Sequence, residues 1–195
     1  MIGRVLDALR RYRKERHLAR LVGRGLKIGR NVQIEGDCFF DPSHCFLISV
    51  GDGCVLAPGV RLIAHDASMF GFIGITKIGR IDIGEKCFLG DSVCVLPNVT
   101  IGAHSVVGAC SVVVRDIPPR SVAVGNPARV VCALDEFLDK HRENSRNHRS
   151  FQESEYSIAT ITDAGKREML EYLAGNRVAY MAGTTAAVTL LNWEP

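Results

Sequence analysis

His65 is the residue in this sequence best suited to move a proton near neutral pH. It stands in the segment LIAHDAS (62–68), directly before the stretch SMFGFIGIT (68–76), which carries two glycines and several apolar residues. An imidazole held by a partner on one nitrogen can take a proton from a hydroxyl with the other. A single histidine is also common as a structural residue, so the surrounding pattern has to decide between these interpretations.

An acidic side chain is the expected orienting partner of such a base, and three aspartates are candidates. Asp66 is adjacent in sequence, but neighbouring residues on a strand point to opposite faces. Asp37 and Asp41 lie earlier in the chain, about one repeat turn before His65, and are better placed. Both could instead be corner residues, because aspartate stabilises turns through its own backbone.

A six-residue repeat provides the elements that must position these side chains. An aliphatic residue recurs at every sixth position from residue 83, and a small or medium residue follows four positions after each. The aliphatic positions are Ile83, Leu89, Val95, Ile101, Val107 and Val113, and the second set is Cys87, Val93, Val99, Ser105, Ser111 and Ile117. Shorter blocks of the same pattern begin at residues 28 and 50.

A period of six fits neither the helix nor the simple alternation of a strand. It fits a short strand followed by a corner, with three sides making one coil of a triangular prism. Coils of this kind stack at the usual strand separation of about 4.8 Å and bury a continuous apolar core. The sequence therefore predicts an all-β fold of stacked parallel coils, without fixing the hand of the coil.

The pattern resembles the hexapeptide-repeat acyltransferases, in particular their maltose, galactoside and xenobiotic acetyltransferase branch. It looks closest to the sugar O-acetyltransferases of polysaccharide biosynthesis. The resemblance covers about residues 25–132, and its most specific pieces are LIAHDAS, residues 76–119 and VAVGNPARVV (122–131). It implies a single-stranded left-handed parallel β-helix, a homotrimer, acetyl-CoA as co-substrate and no requirement for a metal.

The same resemblance implies roles for individual residues. His65 would be the general base, with the backbone amide of Asp91 as oxyanion donor and Phe88 on the acceptor side. Asp41 and Asp37 are assigned to the acceptor side by their position one coil before His65, and not by the resemblance. The residues implied to bind acetyl-CoA are Asp91, Ala109, Val114, Arg115 and Arg129, the last meeting the phosphates. An asparagine that often binds the acceptor in this branch has no clear match in this sequence.

The sequence alone leaves other functions open. The acceptor could be an amino sugar, a serine or an antibiotic, with transfer to nitrogen in the first case, or the prism could be a scaffold without chemistry. A zinc enzyme of the γ-carbonic anhydrase type needs three histidines on facing coils and is disfavoured, because His65 and His104 are not spaced for that and the sequence shows no Cys/His clustering. His44 and His104 are interpreted as surface residues, and Cys38, Cys54 and Cys87 as small core residues.

The regions outside the prism divide the chain into three predicted domains. Residues 1–24 form a basic amphipathic helix, residues 25–132 the β-helix with a protruding loop at 68–76, and residues 133–195 a C-terminal extension. Residues 1–30 hold ten lysines and arginines against two acidic residues. This basic end predicts either peripheral contact with an anionic membrane face through residues 1–22 or a cap on the first coil.

The remaining composition indicates where the protein works. Seven cysteines without a CxxC pair, and the absence of a recognisable secretion signal, predict free thiols in a reducing cytoplasm. The net charge is only +3, and no nucleic-acid partner is expected.

Overall fold

The computed structural model describes the backbone of residues 2–183 and the side chains of residues 12–183. The chain divides into two compact units, residues 1–134 and 135–195. The end of the C-terminal extension, including most of the apolar stretch after Tyr180, lies outside the described residues.

The first unit is a stack of coils whose short strands form three faces. The first face contains Lys27–Ile28, Ile48–Val50, Ile81–Ile83 and Val99–Ile101. The second contains Gln33–Ile34, Val55–Leu56, Phe88–Leu89, Val106–Val107, Ser121–Gly125 and Ala128–Ala133. The third contains Phe39–Phe40, Arg61–Leu62, Cys94–Val95 and Val112–Val113. The chain visits the faces in this order in each coil.

Strands within each face pair in parallel, except for the last strand of the second face, Ala128–Ala133, which is antiparallel to Ser121–Gly125. In the regular coils the paired residues are 18 positions apart, as Phe88 and Val106 are. Eighteen residues are three six-residue repeats, so each repeat forms one side of the prism. The predicted architecture of stacked parallel strands is thus confirmed.

The core is formed by the two sets of repeat positions that the sequence singles out. Every aliphatic position from Ile83 to Val113 is buried, and so is every second-set position from Cys87 to Ile117. Burying a side chain of this size stabilises the fold by about 1.5–3 kcal/mol each. Cys54 and Cys87 are fully buried in the same stack, as predicted, whereas Cys38 is only partly covered.

Tight corners join the faces, and we number them by the faces they connect. The first corner joins the first face to the second, the second corner joins the second face to the third, and the third corner returns to the first face. At the first corner a column of glycines faces the backbone of the next coil. A Cβ on Gly84 would lie 2.5 Å from the backbone nitrogen of Ala103, which leaves no room for a side chain.

The N-terminal helix, Ile2–Gly23, covers the start of the stack with its C-terminal end. Leu21 is buried in the core together with Leu26, and Leu18 packs against them. The Lys14 ammonium donates a hydrogen bond to the carbonyl of Ile34 in the first coil. These contacts favour the capping interpretation of this helix. The apolar stripe proposed for its first residues lies outside the described side chains, and membrane contact stays a prediction.

The second unit has its own small core. It contains the helices Leu134–Arg146 (whose first residue belongs to the first unit), Glu153–Tyr156 and Asp163–Gly175, and the parallel strands Ser150–Gln152 and Tyr180–Ala182. Phe151 is buried, with its ring centroid 4.8 Å from that of Tyr156. Among the described residues, no helix is long and apolar enough to span a membrane.

Replacing Gly84 with alanine tests the packing of the first corner. We expect Gly84→Ala to destabilise the protein by about 1–3 kcal/mol, because the added methyl overpacks against the next coil. Gly71→Ala is the matched control, since a Cβ there meets no atom within 4 Å. Urea unfolding of both variants measures the difference, and equal midpoints would show that the corner can relax.

Candidate functional site

Two interruptions of the repeat lie at the third corner of successive coils. In a regular coil the third strand ends at Val95 and the first face resumes at Val99. In the first coil the corresponding step runs from Phe40 to Ile48, and in the second from Leu62 to Ile81. The first interruption therefore adds four residues and the second adds fifteen. Since stacked coils superimpose their corners, the two insertions are neighbours in space.

Asp41 and His65 come from these two insertions and contact each other. Asp41 follows the strand Phe39–Phe40, and its side chain is completely buried. Its Oδ2 atom forms a hydrogen bond with Nδ1 of His65 and accepts a second one from the Ala64 amide at 3.1 Å. The structure thus brings one of the two predicted partner aspartates to the histidine.

The other carboxylate oxygen of Asp41 is held by its own loop. Oδ1 accepts hydrogen bonds from the backbone amides of Ser43 at 3.0 Å and His44 at 3.3 Å. Burial by itself raises the pKa of Asp41, but hydrogen bonds from His65 and the Ser43 amide outweigh it, and the net effect is a lowered pKa. Asp41 is therefore an ionised acceptor at neutral pH, surrounded by donors.

His65 lies on a small hairpin outside the faces. The strand His65–Asp66 pairs antiparallel with Lys77–Ile78, and 34% of the histidine side chain is exposed. Because an ionised carboxylate only accepts hydrogen bonds, Nδ1 of His65 is assigned the proton and Nε2 keeps its lone pair. Asp66 points elsewhere and accepts from the Ser68 amide at 2.9 Å.

The predicted protruding loop follows directly. Residues 70–73 form a single helical turn that ends at Gly74 with a positive φ of 71°. Its apolar side chains face outwards, and Phe72 is 89% exposed. Phe70, Ile73 and Ile75 are exposed beside it. A continuous apolar surface therefore stands next to the candidate base in the isolated chain.

His44 is a site residue that sequence reasoning missed. It was expected at the surface, yet only 27% of its side chain is exposed and its ring centroid lies 5.1 Å from that of His65. The reason is the four-residue insertion, which buries Asp41 and Cys45 at the corner and brings the intervening His44 ring against His65. The break in the repeat at residues 40–49 was the available signal, since it falls one coil before the break after His65.

The remaining acceptor-side candidates lie away from His65. Asp37 is exposed at the second corner, where it lines a cavity of about 380 Å³ with the helix residues Arg13, Lys14 and His17. Phe88 lies on the second face, half-exposed between Val55 and Val106. Neither residue belongs to the third corner.

The residues implied to bind acetyl-CoA fall on two different edges. Asp91 and Ala109 stack at the second corner. The backbone carbonyl of Asp91 accepts a hydrogen bond from the Cys110 amide at 2.8 Å. The Asp91 amide itself has no acceptor among the described residues, so its N–H is available. Val114 and Arg115 are exposed at the third corner, on the same edge as His65 but in a later coil.

Arg129 is the second residue of the final, antiparallel strand of the second face, Ala128–Ala133. It is exposed, and its guanidinium donates a hydrogen bond to the carbonyl of Ala128 at 2.9 Å. Its position opposite Val124 leaves the planar donor group at the edge of the sheet. A guanidinium in that setting can bind phosphate.

The Asp41 carboxylate gives a stability test with a defined pH dependence. The pKa of Asp41 is lower in the folded protein than in the unfolded chain. Its carboxylate therefore stabilises the fold above the unfolded pKa, and this stabilisation is lost as pH falls through the folded pKa. We expect Asp41→Asn to destabilise the protein by about 1.5–3 kcal/mol at pH 7, and less below about pH 4. Urea unfolding at both pH values measures this. Asp37→Asn, at an exposed position, should cost under about 0.5 kcal/mol, and equal losses in the two variants would contradict the assignment.

Comparison with known proteins identifies the repeat. Residues 80–115 match the family described as bacterial transferase hexapeptide (six repeats). A protein of Staphylococcus aureus strain Mu50 with a provisional acetyltransferase name is 40% identical over 63% of this chain and 62% of its own length. The galactoside O-acetyltransferase of Escherichia coli is 33% identical over 61% of this chain and 59% of its own length.

The chain thus spans about three fifths of the length of these relatives. Among solved structures, a maltose O-acetyltransferase from Clostridium difficile 630 is 39% identical, covers 55% of this chain and 58% of its own, and has a TM-score of 0.49. The chain carries the hexapeptide repeat of the bacterial transferases, as its sequence pattern predicts.

Proposed function

We propose that this protein is an O-acetyltransferase that moves the acetyl group of acetyl-CoA onto a hydroxyl of a sugar or polysaccharide precursor. The observation that carries the proposal is the contact between His65 and the buried carboxylate of Asp41. A fully buried, ionised carboxylate that orients a partly exposed imidazole is the arrangement that general-base chemistry needs. The similarity to a galactoside O-acetyltransferase supports the choice of a hydroxyl acceptor.

In this mechanism His65 Nε2 takes the proton of the acceptor hydroxyl as its oxygen attacks the thioester carbonyl carbon. Asp41 stabilises the imidazolium that forms, through the hydrogen bond at Nδ1. Collapse of the tetrahedral intermediate breaks the C–S bond, and His65 returns the proton to the departing sulfur. No covalent acyl-enzyme is required, because donor and acceptor are bound together.

The oxyanion of that intermediate needs a preorganised donor, and we assign this role to the Asp91 amide. Ala109, Val114 and Arg115 would lie along the pantetheine arm, with Arg129 at the phosphates. Phe88 is assigned to the acceptor side. We also propose that the prism is left-handed, as the resemblance to this family implies.

The separation of these residues within one chain supports a homotrimer. His65 lies at the third corner, whereas Asp91 and Ala109 lie at the second, so one prism carries two half-sites on different edges. Two copies packed edge to edge would unite the base of one with the oxyanion donor of the next. The exposed apolar turn at residues 70–73 is suited to pack against that second copy.

Acceptors with an amine, such as an amino sugar, and other hydroxyl compounds, such as serine or an antibiotic, are alternatives with the same co-substrate. Acetyl-CoA consumption with a panel of hydroxyl and amine acceptors separates them, because mass spectrometry of the product reads the linkage directly. If no acceptor supports thiol release and the protein does not bind coenzyme A, a scaffold role replaces the proposal.

His65→Ala tests the assigned base. We expect kcat to fall by at least about a hundredfold, the lower range for removing a positioned base. Thiol release with the best acceptor measures this, with unchanged circular dichroism as the folding check. His104→Ala is the control and should keep full activity. His104 lies at the first corner, with its Nε2 atom 3.8 Å from Oε1 of Glu85. A His65→Ala enzyme within a few-fold of the native rate would contradict the mechanism.

Sedimentation tests the shared site. If the half-sites belong to two copies, transferase activity should follow a trimeric species and disappear on dilution to monomer. Analytical ultracentrifugation combined with assays across the same concentration range measures both. A monomer that retains full activity would show that one chain completes the site.

A further inference from the structure

Among the buried side-chain nitrogen and oxygen atoms of the described residues, only Nδ1 of His44 has no hydrogen-bond partner. It is shielded from water and forms no hydrogen bond. Its nearest acidic neighbour is Oδ2 of Asp41, at 3.9 Å, too far for a hydrogen bond. Leaving a buried polar atom unpaired costs about 1–3 kcal/mol, so the position calls for a physical reason.

Three atoms with metal-binding chemistry converge at this point. One ligand atom of each of Asp41, His44 and His65 lies within 4.8 Å of the other two. Both histidines face Oδ2 of Asp41 with their Nδ1 atoms. Two imidazoles and one carboxylate are a ligand set that suits zinc, cobalt and nickel. Asp41 is anchored in the ladder between coils, because its amide donates a hydrogen bond to the carbonyl of Leu62 at 2.9 Å, whereas His44 and His65 lie outside the three faces.

The side chains of His44 and His65 would have to move to admit an ion. Ligands on a tetrahedral zinc ion at about 2.0–2.1 Å are about 3.3 Å apart. His44 would therefore move towards Asp41 by about half an ångström. His65 and Asp41, now in direct hydrogen-bond contact, would separate to admit the ion between them. Asp41 accepts from backbone amides on both of its oxygens, which keeps the carboxylate oriented while the ion takes the place of the proton.

We propose that Asp41, His44 and His65 form an inhibitory binding site for a divalent transition metal ion, with Zn²⁺ as the expected occupant. The ion binds Nδ1 of both histidines and one oxygen of Asp41, and a fourth position stays open to water. The proton of His65 is transferred from Nδ1 to Nε2, so the proton count of the neutral ring is unchanged. Nε2 then has no lone pair to offer a hydroxyl. This last consequence rests on the proposed function, whereas metal binding does not.

Binding is tested directly on the full chain without a histidine tag. Co²⁺ is the spectroscopic probe, and isothermal titration with Zn²⁺ gives stoichiometry and affinity. We expect one ion per chain and a loss of affinity of at least about tenfold in His44→Gln. His104→Gln should bind as the native protein does. Equal binding by native protein and His44→Gln, or no binding by the native protein, would overturn the proposal.

Two controls establish which side chains hold the ion. Cys110 is an exposed thiol, so the titrations are repeated in Cys110→Ser, and a thiolate charge-transfer band from bound Co²⁺ would assign the ion to cysteine and overturn the site. If His44→Gln does not fold, as judged by circular dichroism, His65→Gln takes its place and must show the same loss.

The activity measurement separates this proposal from the proposed function. Zn²⁺ should inhibit acetyl transfer by the native protein, EDTA should restore it, and His44→Gln should need at least about tenfold more Zn²⁺ relative to its own metal-free rate. If no transferase activity is detected, the proposed function is refuted, and the titrations alone decide whether the metal site exists. Activity that is insensitive to Zn²⁺ at saturating occupancy would refute the inhibitory role.

Discussion

A carboxylate removed from water has to be surrounded by donors, and the arrangement of the third corner follows from that requirement at Asp41. Three backbone amides, of Ser43, His44 and Ala64, and the ring of His65 surround it. Together they keep the group ionised although burial opposes the charge. The charge in turn fixes which nitrogen of His65 carries its proton. The nitrogen of His65 that is left without a proton is thus selected by a residue from another coil.

The repeat makes this contact possible by bringing distant residues into register. The strands of successive coils pair so closely that residues 22 or 33 positions apart stand side by side, as Gln33, Val55 and Phe88 do. An insertion at one corner is therefore stacked on an insertion at the same corner of the next coil. The regular coils bury an apolar core, while the contact between Asp41 and His65 lies where the period breaks.

Much of this could be predicted from sequence because the six-residue period is itself a physical constraint. Ile83, Val95 and Ile101 are buried for the reason that their spacing indicates, and the loop after His65 protrudes because it does not fit a side of the prism. The inward turn of His44 could not be predicted, since the conformation of a short insertion depends on its tertiary contacts. Asp37 and Asp41 were equivalent by spacing, and only the path of the chain at the corner distinguishes them.

The protonation of the two ring nitrogens of His65 is the most direct test of the role that Asp41 has at this corner. Nitrogen-15 NMR of histidine-labelled protein at neutral pH, assigned by comparison with His65→Gln, distinguishes the tautomers. We expect a proton on Nδ1 and a bare Nε2 in the neutral ring of the native protein, with that preference lost in Asp41→Asn. A proton on Nε2 in the native protein, or a tautomer that does not respond to Asp41→Asn, would contradict that role.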